Sequence, residues 1–202
     1  MELGSQSINE FLDALAAKQP TPGGGAVAGV LVALSTSLGN MVLGYSVGKE
    51  TLKEHAALHE ASSTMLLSAS KEAIELAYAD ATAYETLNAM FSTPRDDPEA
   101  LENWNRVVLE AISVPIRTMV LCQKVLVTLQ SLVGKSNRML SSDLAIAAIL
   151  ADAAARSANW NVQINLSQLS NDDERNKCSK QADELLSTCK ELIESIETSC
   201  KL

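Results

Sequence analysis

Aromatic side chains make up only 3% of this 202-residue chain, although 47% of it is hydrophobic. A core made from it rests on Ala, Leu, Val and Ile rather than on packed rings, a composition that favours helix. Positive charge is also scarce. Lys and Arg number 16 against 25 Asp and Glu, and the net charge of −9 is the wrong sign for a nucleic-acid partner. The four cysteines include Cys178, Cys189 and Cys200, spaced by eleven on one helix face, too far apart to converge on a metal. They read as free or buried thiols of a reducing compartment. The two histidines, His55 and His59, lie four apart with no third ligand nearby, and read as solvent-facing helix residues. No phosphate loop ending in Gly-Lys-Ser/Thr is present, no HExxH, no paired CxxC and no Ser-His-Asp arrangement. Met1 to Ser5 carry no basic-then-apolar leader, so a cytoplasmic location is expected. The length suits a single domain spanning 1–202.

What the chain has instead is a stretch from Gln19 to Lys49. It opens with Pro20, Pro22 and the run Gly23, Gly24, Gly25, and carries no charge from Ala26 to Val47. Gly25, Gly29, Ala33 and Ser37 recur every fourth residue, as do Asn40, Gly44 and Gly48. Small residues on one helix face let a second backbone come close. The stretch predicts a central helix, entered through a glycine loop whose free N–H groups can hold an anion or a polarised carbonyl. A membrane span is the rival reading, since the run is long enough for one. Ser35, Thr36, Ser37 and Asn40 at its middle, and the lack of an aromatic or basic belt at both ends, favour a buried helix and no membrane partner.

Around it the pattern predicts five further helices. Ser7 to Glu10 forms a capping box for a first one, with Ile8, Phe11, Leu12 and Leu15 on its apolar side. A long helix runs from Lys53 to about Phe91. After the break at Thr93 to Pro98, with Asp97 as cap, another runs to about Leu132 with Pro115 inside it. Ser141, Ser142 and Asp143 offer caps for an Ala-rich helix to about Leu166, and Asn171 to Glu174 cap the last. The fold class is therefore all-α, an antiparallel bundle of about six helices around a small-residue-rich central one.

Several polar groups stand where a bundle has no need of them. Asp80 and Tyr84 lie one turn apart, as do Asn161 and Asn165, the latter pair inside an apolar run that disfavours asparagine. Asp143 starts a helix, and Lys49 ends the charge-free one. Each has a plain structural use: a cap, a surface carboxylate, a half-buried ring, a tight turn.

Together these residues resemble the methenyltetrahydrofolate cyclohydrolase and formiminotetrahydrofolate cyclodeaminase family. The likeness rests on PTPGGG, the Gly48-Lys49 pair, Asp80-Ala-Thr-Ala-Tyr84, Val114-Pro115, Ser142-Asp143 and Asn161 to Leu166, in that order. It covers nearly the whole chain, with departures at Glu50-Thr51-Leu52 and at Lys135 to Arg138. The resemblance implies a homodimer and a folate bound near the subunit interface, with neither metal nor redox cofactor. Asp80 and Asp143 are then the catalytic carboxylates. Pro22, Gly23, Gly24, Gly25, Lys49, Tyr84, Asn161 and Asn165 contact the substrate. Asp143 and Asn161 share a helix face but stand about 27 Å apart along it, so an antiparallel pair of subunits is needed to bring one copy of each together. Hydrolysis of 5,10-methenyltetrahydrofolate is the first reading and formiminotetrahydrofolate cyclodeamination the second. A non-catalytic bundle that binds a partner or ligand through its glycine loop is the rival of another class.

Overall fold

The computed structural model describes residues 6–92 and 98–201. Among them are six α-helices and no strand: α1 (Ile8–Ala16), α2 (Gly24–Gly44), α3 (Ala56–Met90), α4 (Pro98–Leu132), α5 (Ser141–Leu166) and α6 (Asp172–Cys200). The expected caps of α1 and α6 form. Ser7 and Glu10 close a reciprocal box, and the Asn171 side chain accepts from the Asp173 and Glu174 amides. The expected cap at Asp97 lies outside the described residues.

The charge-free helix α2 is packed between α3 and α5. Both α2 and α4 are long and apolar enough to cross a membrane, but here they line the bundle core. A Cβ on Gly29 would stand 2.7 Å from the Ala73 carbonyl oxygen and from the Ala77 Cβ, so only glycine allows that approach to α3. On the other side Ala147, Ala148, Ala151, Ala154, Ala155 and Ala158 of α5 are all buried. The Ser35 hydroxyl donates to the Ala147 carbonyl at 2.7 Å and pins the two helices together. Leucine, valine and isoleucine of α4 fill the remaining core, closed by one face of α6.

Four local expectations are corrected. The every-fourth-residue stripe does not stay at the interface: Gly29 is buried, Ala33 is half-buried and Ser37 is exposed. A spacing of four drifts by about 40° per step on a helix of 3.6 residues per turn, and the buried set follows Gly29, Val32, Thr36, Gly39 and Leu43. Helix α2 ends at Gly44 rather than at Lys49. Gly48 adopts a positive φ of 80° that favours glycine, and Lys49 precedes a 3-10 segment, Glu50–His55, before α3 begins. Asp143 lies in the first turn of α5 but does not cap it; Leu140 occupies the cap position with no side-chain bond. His59 is only 2% exposed, its Nε2 lying 2.6 Å from the Lys135 carbonyl, so it is a core group rather than a solvent-facing one.

Candidate functional site

The start of α2, the C-terminal part of α3 and the end of α5 meet at one end of the bundle and enclose a cleft of about 390 Å³. Pro20, Thr21, Gly23, Gly24, Gly25, Asp80, Tyr84, Asn161 and Asn165 line it, with Phe91, Ala111, Ile164 and Gln168 among the rest. Thr21 donates to Glu85 at 3.1 Å and ties the loop before α2 to α3. The N-cap of α2 is Gly23, which has no side chain to satisfy the N–H groups of the first turn.

The fit of Asp80 depends on Gly25. A Cβ at Gly25 would overlap the Asp80 carboxyl group, so the missing side chain is what admits the carboxylate to the helix start. Among the described residues Asp80 accepts no side-chain or loop hydrogen bond. Burial pushes its pKa up to about 6 from 3.8. An acid with no internal partner, desolvated and facing a cleft, is a candidate for proton transfer or for holding a cation.

The two asparagines differ. Asn161 approaches the Gly24 backbone and makes no hydrogen bond among the described residues. Asn165 donates from Nδ2 to the Ala111 carbonyl of α4 at 3.3 Å. Tyr84 is exposed at the cleft mouth. The sequence reading missed Phe91, Gln168 and Ala111. Phe91 meets Trp104 edge-on at 5.4 Å between ring centres, and Trp104 donates to the Gln168 carbonyl, so this wall is set by contacts between α3, α4 and the end of α5. Only the apolar run around Asn161 hinted at it.

Three expected site residues are not in this cleft. Pro22 follows a cis Thr21–Pro22 bond and is buried. Lys49 lines a second cavity of about 640 Å³ with His59, Ser63 and Thr64, at the opposite end of α2. Asp143 is in the first turn of α5, about 27 Å along the helix from Asn161. Among the described residues no three His, Cys, Asp or Glu converge as a metal site.

An uncommitted carboxylate, two amides and a glycine-started helix gathered in one cleft mark an all-helical bundle built to take a small polar ligand. The chain belongs to the formiminotransferase-cyclodeaminase family, whose profile matches residues 7–184. It is 28% identical over 170 residues to a methenyltetrahydrofolate cyclohydrolase of Methylorubrum extorquens, covering 80% of each chain. It is 27% identical over 195 residues to the formimidoyltransferase-cyclodeaminase of Gallus gallus, matching 94% of this chain but only 36% of that longer protein. Its fold superposes on the crystal structure of formiminotetrahydrofolate cyclodeaminase from Thermotoga maritima with a TM-score of 0.92. The identity there is 25%, over 98% of this chain and 97% of the other.

Proposed function

We propose that this chain is a folate one-carbon enzyme that hydrolyses 5,10-methenyltetrahydrofolate to 10-formyltetrahydrofolate. The observation that carries the proposal is Asp80, desolvated, without a hydrogen-bond partner among the described residues and seated against Gly25 in the cleft. The likeness to the Methylorubrum extorquens cyclohydrolase over most of both chains supports it.

The substrate is a cation centred on the carbon that bridges N5 and N10. Water adds to this carbon and loses one proton to a base. The hydroxyl of the adduct then gives up its proton as the C–O double bond forms and the C–N5 bond breaks, and N5 takes up a proton, so that one proton is released overall. Ionised Asp80 is suited to hold the cation and to move the proton. Asn161 and the free amides of α2 orient the ring system. No metal or redox cofactor is needed for these steps, and the setting we propose is cytoplasmic.

Lys49 and Asp143 enter through a second copy. One side of α5 exposes Ile146, Ile149, Trp160 and Ile164, with Trp160 76% and Ile164 68% exposed, and Leu34 of the adjacent α2 is exposed as well. Pairing two such faces antiparallel sets the partner subunit's Lys49 and Asp143 beside the Asp80 cleft, where the lysine meets the glutamate carboxylates and Asp143 is the second catalytic carboxylate. The likeness to the Thermotoga maritima protein supports a second reading on the same scaffold. In it N10 attacks the formimino carbon of formiminotetrahydrofolate and ammonia leaves.

The test is the absorbance decay of methenyltetrahydrofolate with purified protein, beside ammonia release from the formimino compound. Asp80→Ala and Asp143→Ala are expected to abolish whichever activity is found. Turnover of neither compound by the wild type removes both readings, and a fully active monomer removes the shared site.

A further inference from the structure

In a regular α-helix the N–H of residue 115 would close onto the carbonyl of residue 111. Residue 115 is proline, which has no N–H, and whose ring crowds that same carbonyl. Pro115 is buried inside α4, while Ala111 reaches the wall of the cleft. The carbonyl freed in this way is the one that accepts from Asn165 Nδ2 at 3.3 Å, across the α4–α5 contact. A buried carbonyl without a partner is costly, and here the missing partner is replaced by a cleft side chain.

We propose that Pro115 is a positioning residue: by withholding its N–H it keeps the Ala111 carbonyl open to Asn165, and so fixes the sense in which that amide faces the cleft. The chemistry sets the direction. A carbonyl oxygen only accepts, so the NH₂ end of Asn165 must face it, and Oδ1 remains as an acceptor. Asn161, one turn earlier, has no such anchor among the described residues and can turn either end to a ligand. The two amides therefore have unlike duties. Asn165 is a preset acceptor for an N–H or amino donor on the bound ring, and Asn161 is adaptable. This inference rests on the folate reading for its ligand, but the anchoring itself does not.

Its test separates the two. In 15N-labelled protein the Asn165 side-chain amide, assigned by its loss in Asn165→Asp, is expected to exchange its protons with water more slowly than that of Asn161. In Pro115→Ala the backbone N–H of residue 115 competes for the carbonyl, and the protection of Asn165 is expected to fall by roughly fivefold, the weight of one ordinary hydrogen bond. Alanine is a better helix former than proline, so this variant keeps its fold. The kcat/KM for methenyltetrahydrofolate is expected to fall by about the same factor in Pro115→Ala, and not to change when Pro115→Ala is added to Asn165→Ala. Unaltered exchange in Pro115→Ala overturns the assignment whatever the activity. So does an equal kinetic loss in both backgrounds, which would mark a merely structural proline. If the wild type turns over no folate, the exchange measurement alone decides, and only the substrate reading is lost.

Discussion

Replacing Gly25 by alanine adds one methyl group at the point where α2 starts and Asp80 of α3 arrives. The ideal position of that methyl carbon overlaps the Asp80 carboxyl group, and Asp is too short to fold aside without leaving the cleft wall. The carboxylate must therefore move by roughly 1 Å or more, a displacement that costs about 100-fold in rate when the group acts on the reacting atoms. Stability pulls the other way. Alanine within a helix is favoured over glycine by up to about 1 kcal/mol, or about 2–4 °C in Tm for a chain of this size. The expected result is a Gly25→Ala protein with a Tm near that of the wild type and kcat/KM lower by about two orders of magnitude in the methenyltetrahydrofolate assay. Gly29→Ala is the contrast. Its methyl would press on the Ala73 carbonyl and Ala77 Cβ at 2.7 Å, backbone and core that cannot swing away, and overpacking there costs about 1–3 kcal/mol. A Gly25→Ala enzyme within threefold of wild-type kcat/KM would refute the reasoning, because the seat of the Asp80 carboxylate would then be irrelevant to turnover.

Four further outcomes are expected. The pKa of Asp80 is raised from 3.8 to about 6 by burial, so kcat/KM falls as pH drops through about 6. That limb is absent in Asp80→Asn, and a limb that persists in the variant assigns it to another group. The same raised pKa means that the fold favours the neutral acid. Its stabilising contribution is full below 3.8 and is lost as pH rises through about 6. Denaturant titrations should then show Asp80→Asn gaining on the wild type between pH 4 and pH 7. Asn161→Ala is expected to change stability by no more than about 0.5 kcal/mol, while the loss of one ligand hydrogen bond lowers kcat/KM by roughly threefold to tenfold. Denaturation of His59→Ala is expected to show a loss of about 1–3 kcal/mol, because the Lys135 carbonyl loses its buried partner; an unchanged midpoint would make the contact dispensable.

Helix identity was legible from local pattern because caps and apolar periodicity act over a few residues. The Ser7–Glu10 box, the Asn171 cap and the proline within α4 all form where their residues predict. Asp80, Tyr84, Asn161 and Asn165 could be singled out for a similar reason, since each is a polar group that its own helix does not use. The fate of His59 was not legible. Its partner is a carbonyl 76 positions away, and no local spacing reports a contact that distant. The small-residue stripe of α2 misled in its register, because a fourfold recurrence is not the helix period, and the neighbours α3 and α5 choose which glycines are needed.

By itself the sequence determined that the chain is helical, where most helices begin and end, and that one uncharged helix lies at the centre. These follow from backbone propensity, capping and the burial of apolar faces, all short-range or compositional. Tertiary structure alone decided that Gly25 receives Asp80, that Ala111 receives Asn165, and that the start of α2 and the end of α5 close on one cleft. Those relations depend on how three helices cross in space, and crossing is set by side-chain shape at contacts far apart in the chain.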